Sequence, residues 1–254
     1  MAIIRRMRKK TVIVTVTVAA VLIVAATAVG SLLYLGVLHL NSPDEGKYPV
    51  RGVDLSSYQG AVDWDLLARQ GISFAYIKAT EGSSLVDPRF VANWTAAAGT
   101  GLRIGAYHYF SFESPGETQA ELFRSTVKEV PGMLPPAVDV EFYGDYGSEK
   151  DIDVSAVKAE LRVFVDSLAG EYCLKPVIYC DTRSYDALVR GGFDDCDIWF
   201  RSVYSKTPDG IGWTFWQYSN RHRLEGYSGR ERYIDMNIFN GDAGAFAAYP
   251  GKEE

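Results

Sequence analysis

Histidine and cysteine, the usual ligands of structural zinc, are scarce in this 254-residue chain, which has three of each. Cys173, Cys180 and Cys196 form no CxxC pair and lack the Cys/His spacing of a zinc site. Three thiols allow at most one intramolecular disulfide, and the sequence leaves its partners open. We therefore expect neither a bound metal nor a cofactor.

Positive charge is also scarce over most of the chain. The chain has 26 basic and 32 acidic residues. Five of the basic and two of the acidic residues lie in the first 46 positions, which leaves 21 basic and 30 acidic residues in the remainder. Nucleic-acid binding requires a basic footprint, so this balance argues against a nucleic-acid partner. No GxGxxG or P-loop spacing follows a predicted strand, which argues against a nucleotide site.

Formal charge is absent altogether from residues 11–40, where Val, Ala, Leu and Ile dominate. This run exceeds the ~20 residues that a helix needs to cross a bilayer. Residues 1–10 are basic, and basic flanks stay in the cytoplasm. We predict a cytoplasmic segment over 1–10 and a transmembrane signal-anchor over 11–40, which would hold an exported domain outside the cell membrane. A cleaved signal peptide is the alternative, because Ala26-Thr27-Ala28 resembles a cleavage site.

Beyond the apolar run we expect a linker over 41–49, one domain over 50–249 and a tail over 250–254. Eight strands are predicted, at 50–56, 73–80, 102–110, 135–142, 175–180, 197–203, 212–219 and 233–239. Helices are predicted at 64–70, 87–98, 114–130, 153–172 and 183–189, and Ser114 with Glu117 has the spacing of a capping box. Alternating strands and helices favour a parallel sheet. The fold class is therefore α/β, an irregular (β/α)8-like barrel with some helices missing. An open doubly wound sheet is the alternative.

Acidic side chains follow or end several of these strands. Asp139 and Glu141 end the fourth strand, and alternation points them to the same side. Asp54 lies near the end of the first strand and Asp235 within the eighth, and these two strands are neighbours in a closed barrel. Burial and like charge would separate the pKa values of such carboxyls, as acid catalysis requires. Solvated acids at a surface strand end are the alternative interpretation.

Aromatic side chains accompany the acids along the strands. Rings beside carboxylates suit a sugar, whose ring faces are apolar and whose edges form hydrogen bonds. Packing in the core is the alternative for at least half of the candidates. They are Tyr58, Tyr107, Tyr109, Tyr179, Trp216 and Tyr218.

Seven segments, in order along the chain, resemble the glycoside hydrolase family 25 lysozymes, the Chalaropsis-type N-acetylmuramidases. They are 51–60 (RGVDLSSYQG, followed by Asp63-Trp64), 71–82 (GISFAYIKATEG), 105–110 (GAYHYF), 136–141 (PAVDVE), 176–179 (PVIY), 216–219 (WQYS) and 234–239 (IDMNIF). The resemblance covers about residues 50–245. It implies a flattened β/α barrel that hydrolyses the β-1,4 bond between N-acetylmuramic acid and N-acetylglucosamine in peptidoglycan.

Site residues follow from the resemblance position by position. Glu141 matches the general acid, Asp139 its partner carboxylate, and Asp54 and Asp235 two further acids of the groove. Tyr58, Tyr107, Tyr109, Tyr179, Trp216 and Gln217 are the expected substrate-binding residues. The implied partner is the glycan strand of peptidoglycan, bound by a monomeric catalytic domain. The spacing leaves open whether the product retains or inverts its anomeric configuration.

Two departures from the family pattern affect the expected groove rim. Arg201 follows Ile198-Trp199-Phe200 where the family more often has a small residue, and residues 145–153 form an acidic insertion.

Three rival functions remain open. A chitinase-like barrel is disfavoured because its DxxDxDxE pattern would need acids at Leu134 and Ala137. A catalytically silent sugar-binding module and a structural partner in a membrane complex would leave the acids idle.

Overall fold

The computed structural model describes residues 2–251, with side chains from residue 7 onward except that of residue 8. The chain divides into two compact units, Met1–Leu40 and Asn41–Glu254. In the first unit, helix α1 spans Ala2–Tyr34. It ends where Gly36 adopts φ 65°, a left-handed conformation that suits glycine. Residues 35–40 of the predicted 11–40 span are therefore not helical.

Part of α1, Lys9–Tyr34, is long and apolar enough to cross a membrane. A signal sequence near the amino terminus has the same length and composition. The helix is therefore a candidate span, and its properties fit both interpretations.

The second unit is built on a single sheet. Its strands are β1 Arg51–Leu55, β2 Phe74–Glu81, β3 Leu85–Val86, β4 Arg103–Tyr109, β5 Ala137–Val140, β6 Val177–Cys180, β7 Asp197–Arg201, β8 Phe215–His222 and β9 Ile234–Phe239. The order is β1-β9-β8-β7-β6-β5-β4-β2-β3, and β1 also pairs with β2. That pairing closes eight strands into a barrel and excludes the open doubly wound sheet. The extra strand, β3, pairs with β2 outside the barrel ring.

Strand direction differs from the predicted parallel sheet at one place. Strand β9 runs antiparallel to both β1 and β8, and the other barrel pairs are parallel. The connection from β8 to β9 is a hairpin without a crossover helix, and such connections join antiparallel strands. Consequently the amino-terminal end of β9 lies beside the carboxyl-terminal ends of its neighbours.

Helices pack outside the barrel, mainly in its first half. They are α2 Trp64–Ala68, α3 Phe90–Ala98, α4 Gly116–Thr126, α5 Val154–Tyr172, α6 Thr182–Ser184 with a π-helical turn Tyr185–Val189, and α7 Ala243–Ala247. The expected capping box of α4 is absent, because neither Ser114 nor Glu117 caps its amino terminus. Instead the Gly116 amide donates to the Glu160 carboxylate of α5 at 2.6 Å. A Cβ at Gly116 would overlap the Glu160 backbone, so this close helix crossing requires glycine.

Side-chain alternation along the strands produces two apolar layers. One lies inside the barrel and includes Phe74, Tyr76, Trp199 and Phe215. The other lies between the barrel and its helices. The interior is filled with rings, and Tyr76 stacks on Trp199 with centroids 4.8 Å apart. Gly105 leaves the space that the Tyr76 ring occupies, because a Cβ there would overlap it.

Residues 41–49, predicted as a linker, lie in the same compact unit as the barrel. Asn41 is buried, and its amide donates to the carbonyls of Ser202 at 2.8 Å, Ser205 at 2.9 Å and Tyr218 at 3.3 Å. Asn41 therefore attaches the start of this segment to the residues after β7 and to the middle of β8. All three cysteines are free thiols, with Cys173 exposed and the other two buried.

Candidate active site

Four predicted acids meet at the carboxyl-terminal end of the parallel strands. Asp54 is the fourth residue of β1, and its partner across the β1–β9 ladder is Asp235. Residues that pair directly in an antiparallel ladder have Cα atoms about 4.5–5.5 Å apart. Asp139 lies in β5, and Glu141 is the first residue after it. The antiparallel direction of β9 is what brings Asp235 to this end.

An amide network holds Asp54. Its Oδ2 accepts hydrogen bonds from Gln217 Nε2 at 2.9 Å and from Asn237 Nδ2 at 2.8 Å. The same Gln217 nitrogen lies 3.4 Å from Asp235 Oδ2. Desolvation raises the pKa of Asp54, and the two amide donors oppose that rise because they stabilise the carboxylate.

Interior rings fix the two amides in turn. The Tyr179 hydroxyl donates to Gln217 Oε1 at 2.9 Å, and Trp199 Nε1 donates to Asn237 Oδ1 at 2.7 Å. With both oxygens accepting, the amide NH2 groups must face Asp54. The rings inside the barrel therefore orient the hydrogen-bond donors of the site.

Asp139 is buried deeper than its neighbour Glu141. The residue is 9% exposed, and its Oδ1 has no hydrogen-bond donor among the residues the structure describes. Desolvation raises the pKa of Asp139 well above its ordinary value, and the charge of Glu141 raises it further. Lys78, from β2, opposes both effects. A buried carboxyl without a donor favours its protonated form.

Glu141 lies at the mouth of the site and faces a cation. Its side chain is 27% exposed, and its Oε1 lies 3.8 Å from Arg201 Nε at the end of β7. Desolvation raises the pKa of Glu141, Arg201 lowers it, and Asp181 raises it. Because Glu141 and Asp139 repel each other, the pair retains a proton at a pH where an isolated carboxyl is ionised. Of the two, Glu141 is the more accessible to a ligand.

Asp235 is the fourth carboxyl of the site, and it lies on β9 beside Asp54. Its side chain is partly exposed at the groove. Desolvation raises its pKa well above the ordinary value, Asp54 raises it further, and Arg201 lowers it. One guanidinium thus lies within electrostatic range of all four carboxyls.

Most of the predicted aromatic residues also lie on the groove side. Tyr107 and Tyr109 are partly exposed on β4, and Lys78 Nζ lies 4.9 Å from the centroid of the Tyr109 ring. Desolvation raises the pKa of Tyr107, and Asp54, Asp139 and Asp235 raise it further, which places its hydroxyl among the acids. Tyr58 is 52% exposed in the 3-10 turn after β1.

Trp216 does not lie in the groove, in contrast to its prediction as a substrate-binding residue. It alternates with Gln217 along β8, so its ring points outward into the layer under the helices. There its Nε1 donates to the Ser202 carbonyl at 3.0 Å, and the ring packs edge-on against Trp213 at 5.9 Å. The WQYS motif by itself does not indicate which of its residues faces inward.

Three residues outside the predicted site belong to it in the structure. Asn237 lies two positions after Asp235, and Lys78 lies two positions after the interior Tyr76, so period-two spacing could have identified both. Arg201 stood out in the sequence only as a departure from the family pattern.

Within the described part of the chain, no group of three or more His, Cys, Asp or Glu side chains could hold a metal ion.

A closed α/β barrel with converging carboxyls and tyrosines at its carboxyl-terminal rim has the architecture of a glycoside hydrolase. Comparison with known proteins identifies the family. The model of the glycosyl hydrolases family 25 matches residues 53–227. The chain therefore belongs to family 25 and is a glycoside hydrolase. The matched range includes Asp54, Asp139 and Glu141 and ends before Asp235.

Individual relatives agree with this membership. An uncharacterized Escherichia coli K12 protein, YegX, is 34% identical over 209 residues, which is 80% of this chain and 74% of that protein. Lysozyme M1 of Streptomyces globisporus is 32% identical over 218 residues, 78% of this chain and 70% of the lysozyme. A solved family 25 glycosyl hydrolase from Bacillus anthracis is 45% identical with a TM-score of 0.77, covering 84% of this chain and 97% of the other.

Proposed function

We propose that this chain is a membrane-anchored, exported muramidase. It would hydrolyse the β-1,4 bond between N-acetylmuramic acid and N-acetylglucosamine in peptidoglycan, during turnover or remodelling of a bacterial cell wall. The observation that carries the proposal is the accessible Glu141 in front of the buried Asp139. Lysozyme M1 of Streptomyces globisporus and an N,O-diacetylmuramidase of Chalaropsis, 28% identical, support this choice of substrate.

In this proposal Glu141 is the proton donor. A glycosidic oxygen leaves as an alkoxide unless it is protonated, so the donor must hold a proton near neutral pH and reach the bond. Desolvation raises the pKa of Glu141, and its position at the mouth gives it access to a ligand. Asp139, which is buried and whose Oδ1 accepts no hydrogen bond from the described residues, acts from behind as the partner that shares its charge and proton.

The positive charge that develops on the sugar ring needs carboxylates nearby. Asp54, held by Gln217 and Asn237, is the best prepared to stay ionised, because both amides donate to its Oδ2. Asp235 faces it across the ladder. Tyr107 and Tyr109 offer ring faces and hydroxyl groups to the sugar, and Tyr179 acts indirectly by orienting Gln217.

The decisive experiment measures reducing ends released from purified peptidoglycan by the full-length chain in a non-ionic detergent. We expect Glu141→Gln to abolish release, since the amide cannot donate the proton. Glu121→Gln is the matched control, because Glu121 is an exposed acid on α4, outside the groove. Release from chitin instead of peptidoglycan would assign the chitinase activity.

A silent sugar-binding module is the second candidate function, favoured only if the wild-type chain binds peptidoglycan without releasing reducing ends. Binding with no turnover at any pH between 4 and 8 would replace the proposed hydrolase with this module. If the chain neither binds nor cleaves peptidoglycan, the remaining candidate function is that of a structural partner in a membrane complex.

Anchoring rests on the length and hydropathy of the apolar part of α1 and on the basic residues in the first turns of the same helix. We expect the mature chain to fractionate with membranes and to keep its original amino terminus, as read by mass spectrometry. A soluble extracellular chain that begins near residue 29 would instead identify the apolar segment as a cleaved signal peptide and make the enzyme a secreted one.

A further inference from the structure

A basic patch borders the groove on an otherwise acidic unit. Residues 41–254 hold 21 basic and all 32 acidic residues of the chain. The short segment 220–233, which comprises the end of β8 and its connection to β9, reverses this balance with four arginines against Glu225 and Glu231. We call these four residues the arginine rim: Arg221, Arg223, Arg230 and Arg232.

Two tyrosine rings support three of the arginines. The Arg230 guanidinium carbon lies 4.1 Å from the centroid of the Tyr58 ring. Arg221 and Arg223 lie 5.4 Å and 5.3 Å from the Tyr233 ring. Cation–π contacts of this kind are attractive even at an exposed site, so the rings restrict where the guanidinium groups point.

The hairpin that carries the rim is tied to the turn after β1. The Gly229 and Glu231 amides donate to the carbonyls of Gln59 and Tyr58 at 2.8 Å and 3.0 Å, and Gln59 Nε2 donates to the Tyr233 carbonyl at 3.1 Å. A Cβ at Gly229 would overlap the backbone of this turn. The arginine rim is therefore fixed in place.

Its position is next to the acids of the groove. Tyr58 follows Asp54 by four residues, and Tyr233 precedes Asp235 by two. Arg223, Arg230 and Arg232 are exposed, and within the described residues none of them forms a salt bridge. Arg230 lies over the Tyr58 ring and Arg223 forms a hydrogen bond with the Tyr233 side chain, so these cations lie on the segments next to Asp54 and Asp235.

We propose that the arginine rim binds the carboxylates of the short peptides that branch from N-acetylmuramic acid. This inference rests on the proposed function and specifies its substrate as peptidoglycan with unblocked acidic peptides. The acetylated sugar backbone is neutral, so carboxylates next to the scissile bond come from the peptides. Guanidinium groups pair with carboxylates through two parallel hydrogen bonds, which suits them to this recognition.

Binding is tested by co-sedimentation with insoluble peptidoglycan stripped of phosphate-containing polymers, using the full-length chain in a non-ionic detergent. The inactive Glu141→Gln background prevents digestion. We expect the added pair Arg223→Gln and Arg230→Gln to weaken binding roughly two- to thirtyfold, as expected for two exposed ion pairs. Rising salt should reduce the difference. The control pair Lys128→Gln and Lys175→Gln removes equal charge at the opposite end of the strands.

Chemical blocking separates the sources of negative charge. Converting the peptide carboxylates to methylamides with a carbodiimide should weaken binding of the parent chain and leave the arginine-deficient chain unaffected. Equal binding of both chains to untreated peptidoglycan overturns the inference, even if the wild type is an active hydrolase. The inference is also overturned if the arginines strengthen binding only to cell walls that keep their phosphate-containing polymers, or only to phosphatidylglycerol vesicles. Arginine-dependent binding without turnover would sustain it while refuting hydrolysis.

Discussion

Replacing Gln217 with glutamate tests whether an amide sets the charge of the groove floor. In the wild type, Gln217 Nε2 donates to Asp54 at 2.9 Å and approaches Asp235 at 3.4 Å. Gln217→Glu keeps the shape of the side chain but removes both donor contacts and adds a carboxylate between two others. The pKa of Asp54 should rise, because its ionised form loses a donor and gains a like charge.

The expected loss can be bounded from these contacts. A hydrogen bond to a charged group contributes about 1.5–3 kcal/mol, and the 3.4 Å contact contributes less. If Asp54 must be ionised in the transition state, this energy is lost there in full. At 1.36 kcal/mol per factor of ten, kcat/KM should fall about 10- to 150-fold at neutral pH. The remaining donor, Asn237, keeps the loss from being complete.

The assay compares kcat/KM on soluble peptidoglycan fragments with thermal unfolding of the same preparations. Gln119→Glu is the matched control, because Gln119 is also fully buried and donates to the Ser111 and Ser114 carbonyls at 2.9 Å and 2.8 Å. It lies in the outer layer, so it should lower the melting temperature without changing kcat/KM. An unchanged kcat/KM for Gln217→Glu would refute the role of this amide.

Three further predictions concern charge and stability. Arg201→Gln removes the cation 3.8 Å from Glu141, so the pKa of Glu141 should rise and the alkaline limb of the kcat/KM profile should move to higher pH; an unmoved limb would contradict this. Asn41→Ala removes three donor contacts, costs about 1–3 kcal/mol, and should lower the melting temperature by roughly 2–12 °C, whereas exposed Ser42→Ala should not. Desolvation gives Asp139 a higher pKa in the folded chain than in the unfolded chain. Above about pH 3.9 the unfolded chain loses this proton, whereas the folded chain keeps it. The free energy of unfolding therefore falls as the pH rises from about 3.9 to the pKa of the folded state. Asp139→Asn should therefore melt at a higher temperature than the wild type at pH 7, and a lower melting temperature would refute that sign.

Local sequence signals predicted the elements well where one physical cause dominates. Helix α5 begins after Asp153, whose side chain accepts from two amides of the first turn, and its apolar positions pack as their spacing predicted. The eight barrel strands occur where apolar runs predicted them. At α4 the local signal failed, because Glu160 from α5 reaches Gly116 and replaces the expected Ser114 cap.

The candidate site depended more on partners distant in sequence. Period-two spacing placed Asp139 and Glu141 together, but it could not show that one lacks a donor and the other faces Arg201. It also could not assign inward and outward faces on β8, where Gln217 points inward and Trp216 outward. A shift of one residue reverses every face of a strand, and only the closed barrel fixes that register.

By itself, the sequence determined the elements, the apolar amino-terminal segment and the chemistry available at the strand ends, because these depend on neighbouring residues and periodicity. Tertiary structure decided the direction of β9 and thus the pairing of Asp235 with Asp54. It also decided how Gln217 and Asn237 are oriented and which carboxyls are desolvated. Those properties arise from groups far apart in the chain, since burial and charge act through space and not along the sequence.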